Sequence, residues 1–255
     1  LCYSASLVPE ICDQIDDIDE TMRLGYNWKF GPFELIDQLG ANWVCQRLQQ
    51  ENRPVPPLLQ QLGARNFYRV ENGVKQQFAI DGDYHPIPRP DGVLLLSDLK
   101  LMQQPIAHND AASLWDIGDG VACLEFHTKM NAVDKGIIDM IRQSIDTVSE
   151  NFKALVLYNE GSAFSAGANL AAMKDYIEQQ NWQAIADFVA YGQQTYQQLQ
   201  SAPFPVVGAP SGMALGGGCE VLLHCNAIQA HAETYTGLVE ISVGLVPAWG
   251  GCKEM

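Results

Sequence analysis

The chain has 255 residues, with 15 Lys and Arg against 30 Asp and Glu, for a formal net charge of −15. A hydrophobic share of 47% and a charged share of 18% belong to a globular protein and exclude a disordered one; the length suits one or two domains. The acidic balance argues against a nucleic-acid partner, which needs clustered Lys and Arg, and no apolar run approaches the roughly 18 residues of a membrane span.

The opening Leu1-Cys2-Tyr3-Ser4 has neither the basic nor the apolar region of a signal peptide. Seven cysteines, an odd number with no Cys-x-x-Cys, indicate neither a disulfide framework nor a zinc site. The expectation is reduced thiols and a cytoplasmic setting.

Ile11, Ile15, Ile18 and Met22 recur at helical spacing, and Gly25 reads as the stop. Gly31-Pro32 opens a second helix carrying Phe33, Ile36 and Leu39, and Gly40 ends it. Trp43, Val44 and Leu48 predict a third, broken by Pro54, Pro56 and Pro57. Leu58, Leu59 and Leu62 predict a short fourth that ends at Gly63.

The texture changes near residue 64. Residues 67–70 and 74–80 flank Asn72-Gly73 and read as a β-hairpin with a two-residue turn. Residues 81–112, which hold Pro86, Pro88, Pro90 and Pro105, read as a connector around the apolar run 93–96, so that 64–112 is a hairpin followed by a Pro-containing connector.

From residue 113 the pattern is α/β. Residues 115–117 and 121–126 flank Gly118-Asp119-Gly120 as a second hairpin. Ile137, Ile138, Ile141, Ile145 and Val148 give a helix. Residues 154–158 read as a strand buried on both faces. A loop of small residues follows at 161–168, then two helices to about 200, then strands at 205–209 and 227–230. This order predicts a layered α/β domain. No repeat recurs at a fixed period, and the glutamines at 193, 194, 197 and 198 predict a solvated helix face.

Three segments carry chemistry. In Gly216-Gly217-Gly218-Cys219-Glu220 a triple glycine lets the backbone approach a ligand closely. The first N–H groups of the helix that follows lack intrahelical partners and favour a developing anion. The same segment reads equally as a Gly-rich turn with a Glu set against the helix dipole. Residues 162–169, Ser-Ala-Phe-Ser-Ala-Gly-Ala-Asn, offer a second set of close-approach N–H groups, or a plain strand-to-helix connection. Glu240 sits in the apolar run 237–247, where a buried carboxylate is costly unless used or paired; the alternative is a surface Glu on the polar side of a strand.

Together the loop Phe164-Ser165-Ala166-Gly167-Ala168, the Gly216-to-Glu220 turn, and Glu240 with Pro247-Ala248-Trp249-Gly250-Gly251 resemble the crotonase (enoyl-CoA hydratase/isomerase) superfamily over residues 113–255. The resemblance implies a crotonase-like ββα spiral, truncated before its last helices. It implies that the N–H groups of Ala168 and Gly217 form an oxyanion hole for an acyl-CoA thioester. Glu220 and Glu240 then match the paired catalytic carboxylates of hydratases, and Ala166, Gly167 and Gly216 lie on the substrate. Lys129, in Lys129-Met130-Asn131-Ala132, is implied near the CoA phosphates. Where many relatives carry an acidic residue after the oxyanion alanine, this chain has Asn169. No metal is implied. A Δ3,Δ2-isomerase works with one carboxylate at the Glu240 position, so the pair favours hydration; an inactive structural fragment is the reading from a different class.

Residues 17–25, Asp-Ile-Asp-Glu-Thr-Met-Arg-Leu-Gly, followed by Gly31-Pro32-Phe33-Glu34-Leu35-Ile36-Asp37, resemble the all-α C-terminal domain of 3-hydroxyacyl-CoA dehydrogenases, over residues 1–63. The order of the two segments is similar to bifunctional fusion enzymes of fatty-acid β-oxidation, which implies an oligomeric parent with a thiolase as partner. The chain has no Gly-x-Gly-x-x-Gly fingerprint, and His85, His108, His127, His224 and His231 match no dehydrogenase motif. NAD is therefore expected to belong to a dehydrogenase domain outside this chain, and the chain itself is expected not to oxidise a 3-hydroxyacyl-CoA.

Overall fold

A computed structural model describes all 255 residues, apart from the side chain of Ala172. The chain divides into two compact units, Leu1–Gln103 and Gln104–Met255.

The first unit opens with five helices: α1 (Cys2–Ser6), α2 (Ile15–Tyr26), α3 (Pro32–Leu39), α4 (Ala41–Gln50) and α5 (Pro57–Leu62). Ile15 and Ile18 of α2 bury against Phe33, Ile36, Val44 and Leu59. Ile11 does not join this face. Gln14 is extended (φ −100°, ψ 117°), so no helical turn links Ile11 to Ile15, and Ile11 is exposed. The helix also runs past Gly25 and stops where Asn27 turns left-handed at φ 55°, a conformation asparagine tolerates. Pro32 starts α3, whose first N–H groups are capped from a distance. The Asp19 carboxylate accepts from Phe33 N–H at 2.8 Å and from Glu34 N–H at 3.0 Å.

Strands β1 (Tyr68–Glu71) and β2 (Val74–Phe78) pair antiparallel across Asn72 and Gly73, both at positive φ (51° and 76°), as a two-residue hairpin turn requires. β3 (Tyr84–Pro86) joins the edge of β2. The hairpin forms where the sequence predicts it and packs on the helices. Phe67 meets Phe33 edge to face at 4.8 Å and Phe78 at 6.4 Å, and both bury in the same core as the helices. A short hairpin is marginal alone in water, so its apolar face is covered by the helices before it. The unit ends beyond the short α6 (Leu96–Leu99).

The second unit begins with β4 (Ala107–His108), β5 (Ala112–Asp116) and β6 (Val121–Phe126), an antiparallel set, then a 3-10 turn (Lys129–Asn131) and α7 (Lys135–Asn151). It continues through β7 (Ala154–Leu157), β8 (Ala163–Ser165), α8 (Leu170–Glu178), α9 (Trp182–Gln200), β9 (Val206–Gly208), β10 (Met213–Leu215) and α10 (Gly217–Leu223). It ends with β11 (Ala227–Ile228), β12 (Tyr235–Gly237), a 3-10 turn (Glu240–Val243) and α11 (Gly251–Glu254).

The strands form two sheets. One has the order β11-β9-β7-β6-β5-β4 and is parallel from β6 to β11; the other is β12-β10-β8, all parallel. From β7 onward each turn of chain contributes a strand to the large sheet, a strand to the small one, and then helix. The spiral brings the loops after β8, β10 and β12 together. Side chains tie the segments beneath them: buried Asn159, after β7, accepts from Phe126 N–H of β6 at 2.7 Å, and Asn131 Nδ2 of the 3-10 turn donates to Ala163 O of β8 at 2.9 Å. The glutamines of α9 at 193, 194, 197 and 198 are exposed, on the face opposite buried Tyr196 and Leu199.

Candidate active site

The loops after β8 and β10 touch backbone to backbone. Gly167 has φ 97°, and a Cβ on it would fall 2.9 Å from Leu215 O and 3.4 Å from Gly217 N. Gly216 has φ 52°, and a Cβ on it would fall 2.9 Å from Glu240 Oε1. Both positions combine a left-handed backbone with a neighbour in the way, so only glycine fits. The close approach sets Ala168 N beside Gly217. Among the described residues neither the Ala168 nor the Gly217 N–H donates to a protein acceptor. Tyr196, wholly buried on α9, donates its hydroxyl to Gly217 O at 3.2 Å.

Glu220 lies in the first turn of α10 and is 2% exposed. Its Oε1 accepts from Trp249 N–H at 2.8 Å and Gly251 N–H at 2.9 Å, which clamps one oxygen. Burial raises its pKa above the ordinary carboxylate value. Those two N–H bonds oppose the rise, and the Glu240 charge adds to it. Glu240 begins the 3-10 turn after β12 rather than lying on a strand. Its Oε2 is buried with no hydrogen-bond partner. An unpartnered carboxylate oxygen of this kind is costly in a site that does not use it.

Both carboxylates, Ala168 and Gly217 line one cavity of about 210 Å³. Its remaining wall is apolar, with Phe188, Trp249 and Leu245 among its residues. Trp249 spans it edge to face with Phe188 at 5.4 Å and Tyr196 at 5.6 Å. A larger cleft of about 460 Å³ lies in the first unit, lined by Leu7, Ile11 and Met22 among others, with Asp17 its sole ionisable carboxylate. It lacks the pairing of acids and free N–H groups.

The structure thus brings together Ala168, Gly217, Glu220 and Glu240, with Gly167 and Gly216 behind them. Ala166 is half-buried and donates its N–H to Met130 O at 3.1 Å. Lys129 is exposed and does not line the cavity; its turn abuts the β8 loop through Met130 and Asn131. Asn169 caps α8, its side chain accepting from Ala171 N–H at 3.1 Å. Tyr196 and the Trp249 N–H were not singled out from sequence. Trp249 lies inside the motif Pro247-to-Gly251, but a backbone donor leaves no residue-type signal. Among the described residues no cluster of three His, Cys, Asp or Glu is placed to hold a metal ion, and no helix is long and apolar enough to cross a membrane.

Fold and site define an α/β domain with paired acids facing two free backbone donors. Residues 116–254, more than half the chain, match the family "Enoyl-CoA hydratase/isomerase", and the chain belongs to it. Residues 5–77 match "3-hydroxyacyl-CoA dehydrogenase, C-terminal domain". The chain is 40% identical over 259 residues to a "Probable 3-hydroxyacyl-CoA dehydrogenase" of Bacillus subtilis (strain 168), covering 100% of this chain and 33% of that protein. It is 35% identical over 256 residues to a "Putative fatty acid oxidation complex trifunctional enzyme" of Rickettsia felis, covering 99% and 32%. The chain therefore spans about a third of the length of these relatives. A crystal structure of an enoyl-CoA hydratase from Polaromonas sp. JS666 shares the fold at TM-score 0.54 and 22% identity, over 56% of this chain and 57% of that one.

Proposed function

We propose that the second unit hydrates a trans-2-enoyl thioester of coenzyme A to the 3-hydroxyacyl thioester. The observation that carries this reading is that Glu220 and Glu240 share one apolar cavity with the free N–H groups of Ala168 and Gly217. The thioester oxygen sits between the two donors, which draw electron density from C3. Glu220 takes a proton from water as its oxygen bonds to C3. The electron pair of the C2–C3 double bond moves to C2 and the carbonyl, where the enolate oxygen is held. Glu240 passes a proton to C2 and is reset by the proton that Glu220 has taken, so that the elements of one water are added and both acids return to their starting state. Each aimed donor is worth about 3–4 kcal/mol in the transition state, and each carboxylate about 10²–10⁴ in rate.

The test is loss of crotonyl-CoA absorbance with the 255-residue chain, and its reduction by about 10²-fold or more in Glu220→Gln and in Glu240→Gln. If Glu220→Gln is harmless while Glu240→Gln is not, one carboxylate suffices and double-bond isomerisation replaces hydration. We place the parent beside a dehydrogenase activity that uses NAD outside this chain, supported by the name of the Bacillus relative. An oligomeric parent working with a thiolase is supported by a relative named for a fatty acid oxidation complex. Seven free thiols support a cytoplasmic setting.

A further inference from the structure

His224 matches no dehydrogenase motif, is buried, and does not line the cavity that holds the two acids. A buried polar side chain needs its hydrogen-bonding groups used, and the use here is local. Helix α10 has seven residues with Glu220 at its centre, so Glu220 O is among the last carbonyls that a helix leaves without partners. In a continuing α-helix the N–H of His224 would serve it, but that N–H bonds Val221 O at 3.2 Å instead. The His224 ring takes its place, with Nδ1 2.7 Å from Glu220 O. A carbonyl oxygen only accepts, so Nδ1 carries the hydrogen.

The other edge of the same ring meets the turn that clamps the Glu220 carboxylate. Gly250 has φ 114°, and a Cβ on it would fall 2.6 Å from His224 Cε1 and 2.9 Å from Nε2, so its main chain rests on the imidazole edge. Gly250 stands between Trp249 and Gly251, whose N–H groups both donate to Glu220 Oε1. The turn is held from α9 as well, where Gln193 donates to Ala248 O at 2.7 Å. Glu254, the acid beyond Gly250, is occupied by Gln200 and Lys253, and the Tyr196 ring packs on the imidazole at 5.4 Å.

Resting on the hydratase reading, we infer that His224 is a positioning residue for Glu220 and fixes the base at both ends. It holds the main-chain carbonyl directly, and it holds the carboxylate through Gly250 and the two N–H groups beside it. Its hydrogen-bonded nitrogen faces a carbonyl and its ring lies outside the cavity, so it moves no proton in the reaction.

The experiment is His224→Ala in the 255-residue chain, read in two ways. Crotonyl-CoA absorbance is expected to show kcat lowered by about 10- to 100-fold and KM changed by less than about twofold, since a misplacement of about 1 Å costs about 10²-fold. The titration of a 13C-labelled Glu220 carboxyl, which needs no turnover, is expected to move to higher pH. Burial already raises it, and the Gly251 and Trp249 N–H bonds that oppose the rise are loosened. A third reading does not depend on the variant folding: in the unaltered chain the 15N spectrum of the His224 ring shows the hydrogen on Nδ1 at neutral pH. A bare Nδ1, a Glu220 titration that stays put, or an unchanged kcat overturns the inference. If the unaltered chain does not turn over crotonyl-CoA, the hydratase reading falls, and the Glu220 titration still decides whether His224 holds the carboxylate.

Discussion

A methyl group on Gly216 would meet Glu240 Oε1 at 2.9 Å, on a backbone already at φ 52°. Gly216→Ala is therefore expected to destabilise the chain by about 1–2 kcal/mol through the left-handed backbone, and to displace the Glu240 carboxylate. The second effect is the larger for function, since a misplacement of about 1 Å costs about 10²-fold. Thermal unfolding and crotonyl-CoA turnover separate the two; a variant equally stable and equally active would show that the approach is not tight. Tyr196 acts on the reaction only through Gly217, as a positioning residue. Tyr196→Phe removes one hydrogen bond onto a carbonyl that α10 also uses, at a cost of about 0.5–1.5 kcal/mol, and is expected to lower kcat more than it raises KM. A rise in KM with unchanged kcat would assign Tyr196 to packing alone. Glu220 sets the pH response. As the base it works ionised, and its pKa is raised by burial and by Glu240, so kcat/KM falls on the acid side above the ordinary glutamate value of about 4.3. Glu240→Gln removes a negative neighbour and moves the Glu220 titration down, as 13C NMR of its carboxyl would follow. A titration that stays put would mean that the two acids do not sense each other.

At the scale of elements, Asp19 joins α2 to α3 and to β1. It accepts from Phe33 N–H, Glu34 N–H and the Tyr68 hydroxyl, the last at 2.8 Å. Burial outweighs these donors and pushes its pKa up to about 6. The folded value then exceeds the unfolded one of about 3.9, so the fold favours the protonated acid. That contribution is whole below about pH 4 and is lost as pH rises through about 6. The loss is on the order of 3 kcal/mol. The checks are a 13C midpoint near 6 for the Asp19 carboxyl and weaker exchange protection of the Phe33 and Glu34 amides at pH 7.5 than at 4.5; a midpoint below 4 would show that the three donors prevail. Nothing in the sequence near Asp19 announces this cap, because its partners lie 14 and 49 residues away. Elements that encode themselves locally were legible. The apolar period of α7, the Pro at the start of α3 and the Asn-Gly turn between β1 and β2 each fix their own backbone. Strands β8, β10 and β12 span three residues each, too few for alternation to register, and they exist because a neighbouring strand satisfies their backbone. What stays hidden in the sequence is that the hairpin shares the helices' core: Phe67 and Phe78 are core residues only once Phe33 stands beside them. Glu220 and Glu240 were legible through the motif as a whole. The clamp from Trp249 and Gly251 was not, because it is made by backbone.

The spiral of the second unit is a structural repeat without a sequence period, since β7, β9 and β11 start at unequal intervals, at Ala154, Val206 and Ala227. Unequal turns let the helices after β8 lengthen into α8 and α9, which wall the cavity, while α10 stays short and carries Glu220. This places the acids in an apolar recess of a molecule whose net charge is −15, and that charge has a kinetic consequence. A coenzyme A thioester is itself an anion through its phosphates, so the field of the whole molecule opposes its approach, and exposed Lys129 offers one local cation near the β8 loop. Long-range repulsion between exposed charges is screened beyond a Debye length of about 10 Å at 0.1 M salt, against about 30 Å at 0.01 M. The rate of encounter, and with it kcat/KM, is therefore expected to rise severalfold between 10 and 150 mM NaCl, with kcat unchanged. Lys129→Ala should lower kcat/KM at both salt concentrations, and most at the lower one where its attraction is least screened. If kcat/KM instead falls as salt is added, a local basic patch governs the approach and the acidic surface lies too far from the path to matter.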